Sequence, residues 1–181
     1  GLSLVPHDLR DPGLTTTRGV GELVAAALDA GAEKIVVGCG DSGTCDGGAG
    51  ALAALGARIL DDDDEVIPDG GVHLHRVASL DLAGMHPRLG EVPVELACNA
   101  TNVLCGDHGV ARVFGPQKGA SPEQVARLER GLERWAEILR RDGVGAPGGL
   151  DLRVGAGTGA SDGAPVAGAS GSSRMVQTGK S

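Results

Sequence analysis

Several residues that can hold an anion lie in one glycine-rich run that follows an apolar stretch and precedes an alanine-rich helical pattern. Glycines let a backbone approach a ligand closely and turn several N–H groups the same way, and a following helix adds its positive N-terminal end. The hydroxyls in the run add further hydrogen-bond donors. The pattern predicts a cradle for a phosphate or a carboxylate, with these contributors: Gly40, Asp41, Ser42, Gly43, Thr44 and Gly47.

Asp41 and Asp46 place two carboxylates in the same loop, and such groups can hold a metal ion or accept a proton. The loop lacks the Gly-Lys-Ser/Thr ending of a Walker motif and is not a regular G-x-G-x-x-G. On spacing alone, an ordinary tight turn between a strand and a helix is an equal alternative to an anion site.

The elements around the loop favour the anion site. A short β-branched run at 33–38 comes directly before the loop and predicts a strand buried in a parallel sheet. A second predicted strand, 92–98, ends at another polar loop, 99–109, which contains Asn102. Ligands of open α/β sheets bind at the carboxyl ends of the strands, so the two strand ends are expected to face one cleft.

Helical patterns predict the elements that pack on this sheet. Apolar spacing predicts a helix over 20–28, another over 49–55, and a long one that begins after Ser121, with Gln124 completing a capping box. Trp135 lies on the apolar stripe of the long helix and is expected to be core rather than a ligand platform. The charged residues of that helix, Glu129 among them, are expected to form a solvated face. Leu14–Thr17 is expected to be a short extended piece.

Composition limits the class of protein. The chain has 181 residues, a formal net charge of -8 and a pI of about 5.0, which argues against nucleic acid or anionic membrane as a partner. No apolar run approaches the roughly 20 residues that a membrane span needs.

Only Phe114 and Trp135 are aromatic, so the core must be aliphatic, as in an α/β fold with a mainly parallel sheet and flanking helices. The four cysteines lack zinc-site spacing and predict reduced thiols in the cytoplasm.

Four ordered blocks of the sequence closely resemble bacterial type I glycerate kinases. They are TTRGVGELVAAALDAG at 16–31, IVVGCGDSGTCDGGAG at 35–50, CNATNVLCG at 98–106 and VFGPQKGA at 113–120. The resemblance covers 1–150, the central part of the family's two-domain α/β fold. The segment 151–181 is rich in Gly, Ala and Ser and is expected to be a low-complexity, disordered tail.

The resemblance implies an ATP-dependent phosphorylation of D-glycerate to phosphoglycerate, with Mg²⁺ at the nucleotide. For such a transfer we expect Asp46 and Lys118 to be catalytic, with Asp46 orienting the substrate hydroxyl or acting as a metal ligand for Mg²⁺ and Lys118 neutralising charge across the cleft. Asp41, Gly43 and Cys45 differ from the commoner family form of the first loop, and Asn99 stands where the commoner form has Asp. The family's N-terminal Ser-Phe-Lys-Gly block has no counterpart, so little activity is expected from the chain alone. A non-catalytic anion-binding module derived from a kinase is the alternative, and another small-acid or nucleotide-binding α/β enzyme is a third reading.

Overall fold

A computed structural model describes residues 1–98 and 102–142, together with the backbone of residues 176–177. It contains both α-helices and β-strands, as the α/β prediction requires. The helices are α1 (Arg18–Asp29), α2 (Ala49–Ala54), α3 (Val110–Phe114) and α4 (Pro122–Arg141). The strands are β1 (Ile35–Gly38), β2 (Arg58–Leu60), β3 (Ser79–Asp81), β4 (Val94–Cys98) and β5 (Val176–Gln177).

Three strands form a parallel sheet in the order β1-β4-β5. In its register Ile35 lies beside Val94 and Gly38 beside Ala97. This sheet and its helices confirm the predicted α/β class. β5 lies within the segment 151–181, for which the disordered tail stays a prediction. The other residues of that segment lie outside the described part of the chain.

A second, antiparallel pair consists of β2 and β3, with Arg58 beside Asp81. The pair lies apart from the parallel sheet in the described residues, which the sequence did not indicate.

Two apolar clusters hold these layers together. One packs Val24 and Leu28 of α1 against Ile35 of β1 and Val94 of β4. The larger cluster is built around α4, whose Trp135 has no exposed surface. The long helix therefore buries its apolar stripe as predicted, and Trp135 belongs to the core.

The start of α4 differs in one detail from the predicted capping box. Ser121 accepts the backbone N–H of Gln124 at 3.2 Å, so the N-cap is present. The Gln124 amide, however, donates to Asp11 Oδ1 at 2.6 Å instead of reaching back to the cap. It thereby ties α4 to the N-terminal segment of the chain.

Several other expectations are corrected by packing. β1 is an edge strand among the described residues, and Val36 is 60% exposed, so the strand is buried on one face only. Leu14–Thr17 forms no strand. Glu129 is buried rather than solvated, because its carboxylate pairs at 2.6 Å with Arg112 of α3.

Of the helices that the structure describes, none combines the length and the apolar character needed to cross a membrane.

Candidate functional site

The glycine-rich loop leaves β1 at the carboxyl edge of the parallel sheet, where the sequence places it. The Cys39 N–H donates to the Ala97 carbonyl at 2.9 Å, which extends the β1–β4 pairing by one residue. Because the two strands are parallel, the loop after β1 and the chain after β4 begin at the same edge. We refer to residues 39–48 as the signature loop.

The signature loop is fastened to the rest of the chain through its carbonyl oxygens. Each anchoring donor comes from a segment distant in sequence, so the tertiary fold fixes the path of the loop. Four of these bonds are Leu2 N to Asp41 O (2.6 Å), Thr15 Oγ1 to Gly43 O (2.7 Å), Lys118 Nζ to Thr44 O (2.7 Å) and Trp135 Nε1 to Gly47 O (2.9 Å).

The backbone N–H groups in the first half of the loop are not fastened to the rest of the chain in this way. The backbone N–H groups of residues 40–43 donate to no acceptor within the described residues. The Ser42 and Thr44 hydroxyls lie 3.2 Å apart beside them. A Cβ added at Gly40 would meet no described atom within 4 Å. Around Gly40 the loop therefore presents donors and open space together, as an anion cradle requires.

Asp46 occupies the other half of the loop and has no exposed surface. Its Oδ2 accepts the N–H of Thr17 (2.7 Å), the Thr17 hydroxyl (2.9 Å), the N–H of Gly50 (3.2 Å) and the Thr16 hydroxyl (3.4 Å). Its Oδ1 accepts the N–H of Gly48 at 3.3 Å. Burial raises the pKa of Asp46, and the donors from Thr17, Gly50 and Gly48 oppose that rise.

These contacts give Asp46 a task that the sequence did not predict. The N-terminal end of α2 receives the Asp46 carboxylate, through Gly48 and Gly50, where the sequence predicted an external anion. The same carboxylate also holds Thr17, the N-cap residue of α1. Asp46 thus joins the starts of two helices.

The predicted role of Asp46 as a metal ligand finds no support in its surroundings. Within residues 1–98 and 102–142 no three His, Cys, Asp or Glu side chains lie close enough together to hold a metal ion. Both oxygens of Asp46 already accept hydrogen bonds from the chain. A cation would have to displace those donors.

Asp41 stands at the exposed rim of the loop. Its φ of 52° places it in the left-handed region, and its carboxylate accepts the N–H (3.0 Å) and the hydroxyl (2.5 Å) of Ser3. These hydrogen bonds hold the pKa of Asp41 below its ordinary value. Asp41 therefore secures the N-terminal segment to the loop.

Lys118 lies beneath the loop and is 2% exposed. Besides its bond to the Thr44 carbonyl, its Nζ lies 4.0 Å from Cys45 Sγ. Burial raises the pKa of the Cys45 thiol, and the nearby Lys118 charge opposes that rise. The structure brings Lys118 to the loop from 74 residues away, and its catalytic role stays a prediction.

Gly47 and Asn102 complete the predicted set. Gly47 has a φ of 60°, and a Cβ there would lie 2.6 Å from Trp135 Cδ1, so this glycine faces the core rather than a ligand. Asn102 is half-buried after the end of β4, and no hydrogen bond joins it to the loop in the described chain. Asn99 lies outside the described residues.

The sequence interpretation missed Thr15 and Thr17 as partners of the loop. Both stand in the run Thr15-Thr16-Thr17 just before α1. Threonines before an apolar helical pattern are an N-cap signal, which would have located Thr17. Their hydrogen bonds to Gly43 and Asp46 are tertiary contacts that no local pattern shows.

The fold and the loop define an α/β protein with a donor-rich loop at the carboxyl edge of a parallel sheet. The chain belongs to the glycerate kinase family, whose model matches residues 1–178. That match extends past Leu150, the position at which the resemblance described in the sequence analysis ends.

Individual relatives agree with the family. The chain is 46% identical over 159 residues to a glycerate kinase of Haemophilus influenzae and 43% identical to a glycerate 2-kinase of Escherichia coli. Each alignment covers 83% of this chain and 42% of the relative. A crystal structure described as glycerate kinase 2 from Salmonella typhimurium is similar with a TM-score of 0.82 and 46% identity, over 92% of this chain and 43% of that one. The chain therefore spans less than half the length of these relatives.

Proposed function

We propose that the full-length protein containing this chain is a glycerate kinase, which transfers a phosphoryl group from ATP to D-glycerate. The membership in the glycerate kinase family supports this activity. Within the chain, the observation that carries the proposal is the row of N–H groups at residues 40–43, which donate to no acceptor among the described residues and precede Thr44, whose carbonyl the buried Lys118 contacts.

Phosphoryl transfer depends on positioning and on neutralising charge more than on covalent chemistry by the protein. The N–H groups of Gly40, Asp41, Ser42 and Gly43 bind anionic oxygens, and the Ser42 and Thr44 hydroxyls add donors. The glycerate carboxylate and a phosphate are both suitable occupants, because each offers several charged oxygens to converging donors. These residues hold the reactants in place for the transfer.

Lys118 acts on the same loop from below. Its ammonium donates to the Thr44 carbonyl, and because the side chain is almost fully buried, water screens its charge only weakly. A positive charge in that position favours an anion on the other side of the loop. This is how a chain with a net charge of -8 can attract an acidic substrate locally.

For Asp46 the contacts favour a positioning role over direct contact with substrate. Its buried carboxylate holds the starts of α1 and α2 and shapes the loop that connects β1 to α2. We therefore assign Asp46 the task of fixing the geometry of residues 40–44, with the reacting groups contacted by the exposed half of the loop.

Mg²⁺ would neutralise phosphate charge if it accompanied the nucleotide, as the resemblance implies. The described residues do not fit it as a protein-bound ion, since Asp46 is fully engaged and no ligand cluster lies in that part of the chain. We place the protein in the cytoplasm, where thiols such as that of Cys45 stay reduced.

Purified full-length protein provides the test, with ADP formation measured against added D-glycerate. The proposal expects turnover that requires both glycerate and ATP, and product analysis that finds a phosphoglycerate. An absence of glycerate-dependent turnover in the folded full-length protein would overturn the proposal. Calorimetry on the 181-residue chain then separates the alternatives, because a non-catalytic module binds glycerate or ATP without turnover.

A further inference from the structure

We infer that Trp135 is a positioning residue for the signature loop: its indole N–H locks the peptide between Gly47 and Gly48, and this peptide orients the Asp46 carboxylate. The inference rests on the proposed function for its catalytic consequence. Its structural part stands on the contacts alone.

One peptide group carries both hydrogen bonds. The Gly47 carbonyl accepts the indole N–H of Trp135 at 2.9 Å, and the Gly48 N–H donates to Asp46 Oδ1 at 3.3 Å. The carbonyl of residue 47 and the N–H of residue 48 belong to the same planar unit and turn together. A rotation of that plane would break both bonds at once.

The peptide between Gly47 and Gly48 needs a hydrogen bond to fix its orientation. Their φ values are 60° and 78°, and glycine populates positive and negative φ about equally. A peptide with glycine on both sides can therefore rotate at little steric cost. The bond from Trp135 selects one orientation of the plane.

The orientation matters because Oδ1 has a single source of donors. Among the described residues, Gly48 supplies the one N–H that Oδ1 accepts, whereas Oδ2 accepts from Thr16, Thr17 and Gly50. If the peptide turned, Oδ1 would be buried without a partner. The carboxylate would then have to reorient, and the loop with it.

Trp135 is well placed to hold the peptide. It is fully buried on the 20-residue helix α4, and Leu132, one turn earlier, also lies against Gly47. A buried indole N–H needs an acceptor, so the bond to Gly47 is favourable for both partners. The contact spans 88 residues of sequence and connects the loop to the most extensive core of the chain.

The first measurement follows the indole N–H by nuclear magnetic resonance. Trp135 is the only tryptophan of the chain, so ¹⁵N labelling gives one indole resonance. We expect slow exchange with solvent and a chemical shift that changes in Asp46→Asn, while the matched variant Asp41→Asn leaves it in place. Exchange at the rate of free indole, or a resonance unmoved by Asp46→Asn, would overturn the inference.

Asp46→Asn carries a risk of unfolding, so Thr17→Val serves as a second variant. It removes one hydroxyl donor from Oδ2 at nearly constant size, and we expect a smaller shift of the same resonance. A folded Thr17→Val protein with an unchanged indole resonance would count against the connection between Asp46 and Trp135.

The catalytic consequence is measured in the full-length protein with Trp135 replaced by benzothienylalanine, which keeps the shape of the ring and lacks the N–H. We expect kcat to fall on the order of tenfold to a hundredfold, with KM for ATP little changed. Ile138→Val, a core change on the same helix, is the control and keeps its kcat at a similar loss of Tm. Parental kcat in the benzothienylalanine protein would refute the positioning role. If the parent protein lacks glycerate kinase activity, the proposed function fails and the resonance experiment still decides the inference.

Discussion

The carboxylate of Asp46 accepts both the backbone N–H of Thr17, at 2.7 Å, and the Thr17 hydroxyl, at 2.9 Å. The Thr17 hydroxyl oxygen in turn accepts the N–H of Ala51 in α2 at 3.0 Å. The two side chains thus form a continuous connection between the first turns of α1 and α2. Since both are nearly fully buried, the strength of this connection depends on every donor having its acceptor.

Replacing Asp46 by asparagine tests that dependence. The amide group of asparagine brings donors into a site where the neighbours are already donors, so at least one buried group loses its partner. We expect a loss of about 2–4 kcal/mol in the free energy of unfolding, measured by urea denaturation. Asp41→Asn, at the exposed rim, is the control and should cost about 1 kcal/mol or less. Equal stability of the two variants would contradict the role of the buried Asp46 carboxylate in joining α1 and α2.

The pH dependence of stability offers a separate test of Asp46. Its pKa is raised by burial above the ordinary value of 3.8, so at a pH between these two pKa values the native state holds a proton that the unfolded state has released. Stability therefore falls as pH rises from about 4 through the native pKa, and it stays constant above that. Asp46→Asn cannot titrate, so the stability difference between parent and variant should shrink over this range. A difference that is constant or grows with pH would show that the native pKa is not raised.

Much of this architecture could be predicted from local pattern. β1, β4, α1 and α4 each have a strong apolar period or clear end signals, and all four lie within a few residues of their predicted positions. The place of the loop at the end of β1 followed from the same signals. The strand and helix periods are properties of single segments, which is why one sequence was enough.

The internal arrangement of the loop could not be predicted in the same way. The sequence indicated that Asp46 carries a charge beside glycines. It did not indicate that the backbone N–H and the hydroxyl of Thr17 would donate hydrogen bonds to the Asp46 carboxylate. Likewise, nothing local to α4 shows that Glu129 meets Arg112. These are tertiary contacts, and they decide whether a polar side chain faces a ligand or the interior.

Two glycines of the loop allow a matched comparison. Gly47→Ala combines a positive φ with a Cβ 2.6 Å from Trp135 Cδ1, and we expect it to lose about 2–4 kcal/mol of unfolding free energy. The Cβ of Gly40→Ala would meet no described atom within 4 Å, and residue 40 does not have a positive φ. The free energy of unfolding of this variant should therefore change by about 0.5 kcal/mol or less.

The same Gly40→Ala variant has a second expected effect, which concerns ligand binding. If a ligand approaches the N–H groups of residues 40–43 closely, the added methyl group obstructs it. Full-length Gly40→Ala should then show a raised KM for glycerate or ATP in the coupled assay for ADP. Kinetics identical to the parent would move the ligand away from this part of the loop.

Lys118→Met separates the electrostatic role of the lysine from its packing. Methionine fills most of the space of the buried stem, so the main changes are the lost charge and the lost donor to the Thr44 carbonyl, a cost of about 1 kcal/mol in unfolding free energy. For the full-length protein we expect kcat/KM for glycerate to fall on the order of a hundredfold or more, because the loop loses the positive charge that favours an anion there. Lys34→Met is the matched control, since Lys34 is exposed and pairs with Glu95 away from the loop. A Lys118→Met protein that keeps parental kcat/KM would show that the lysine only supports the loop, and the neutralising charge would then have to come from another residue of the full-length protein.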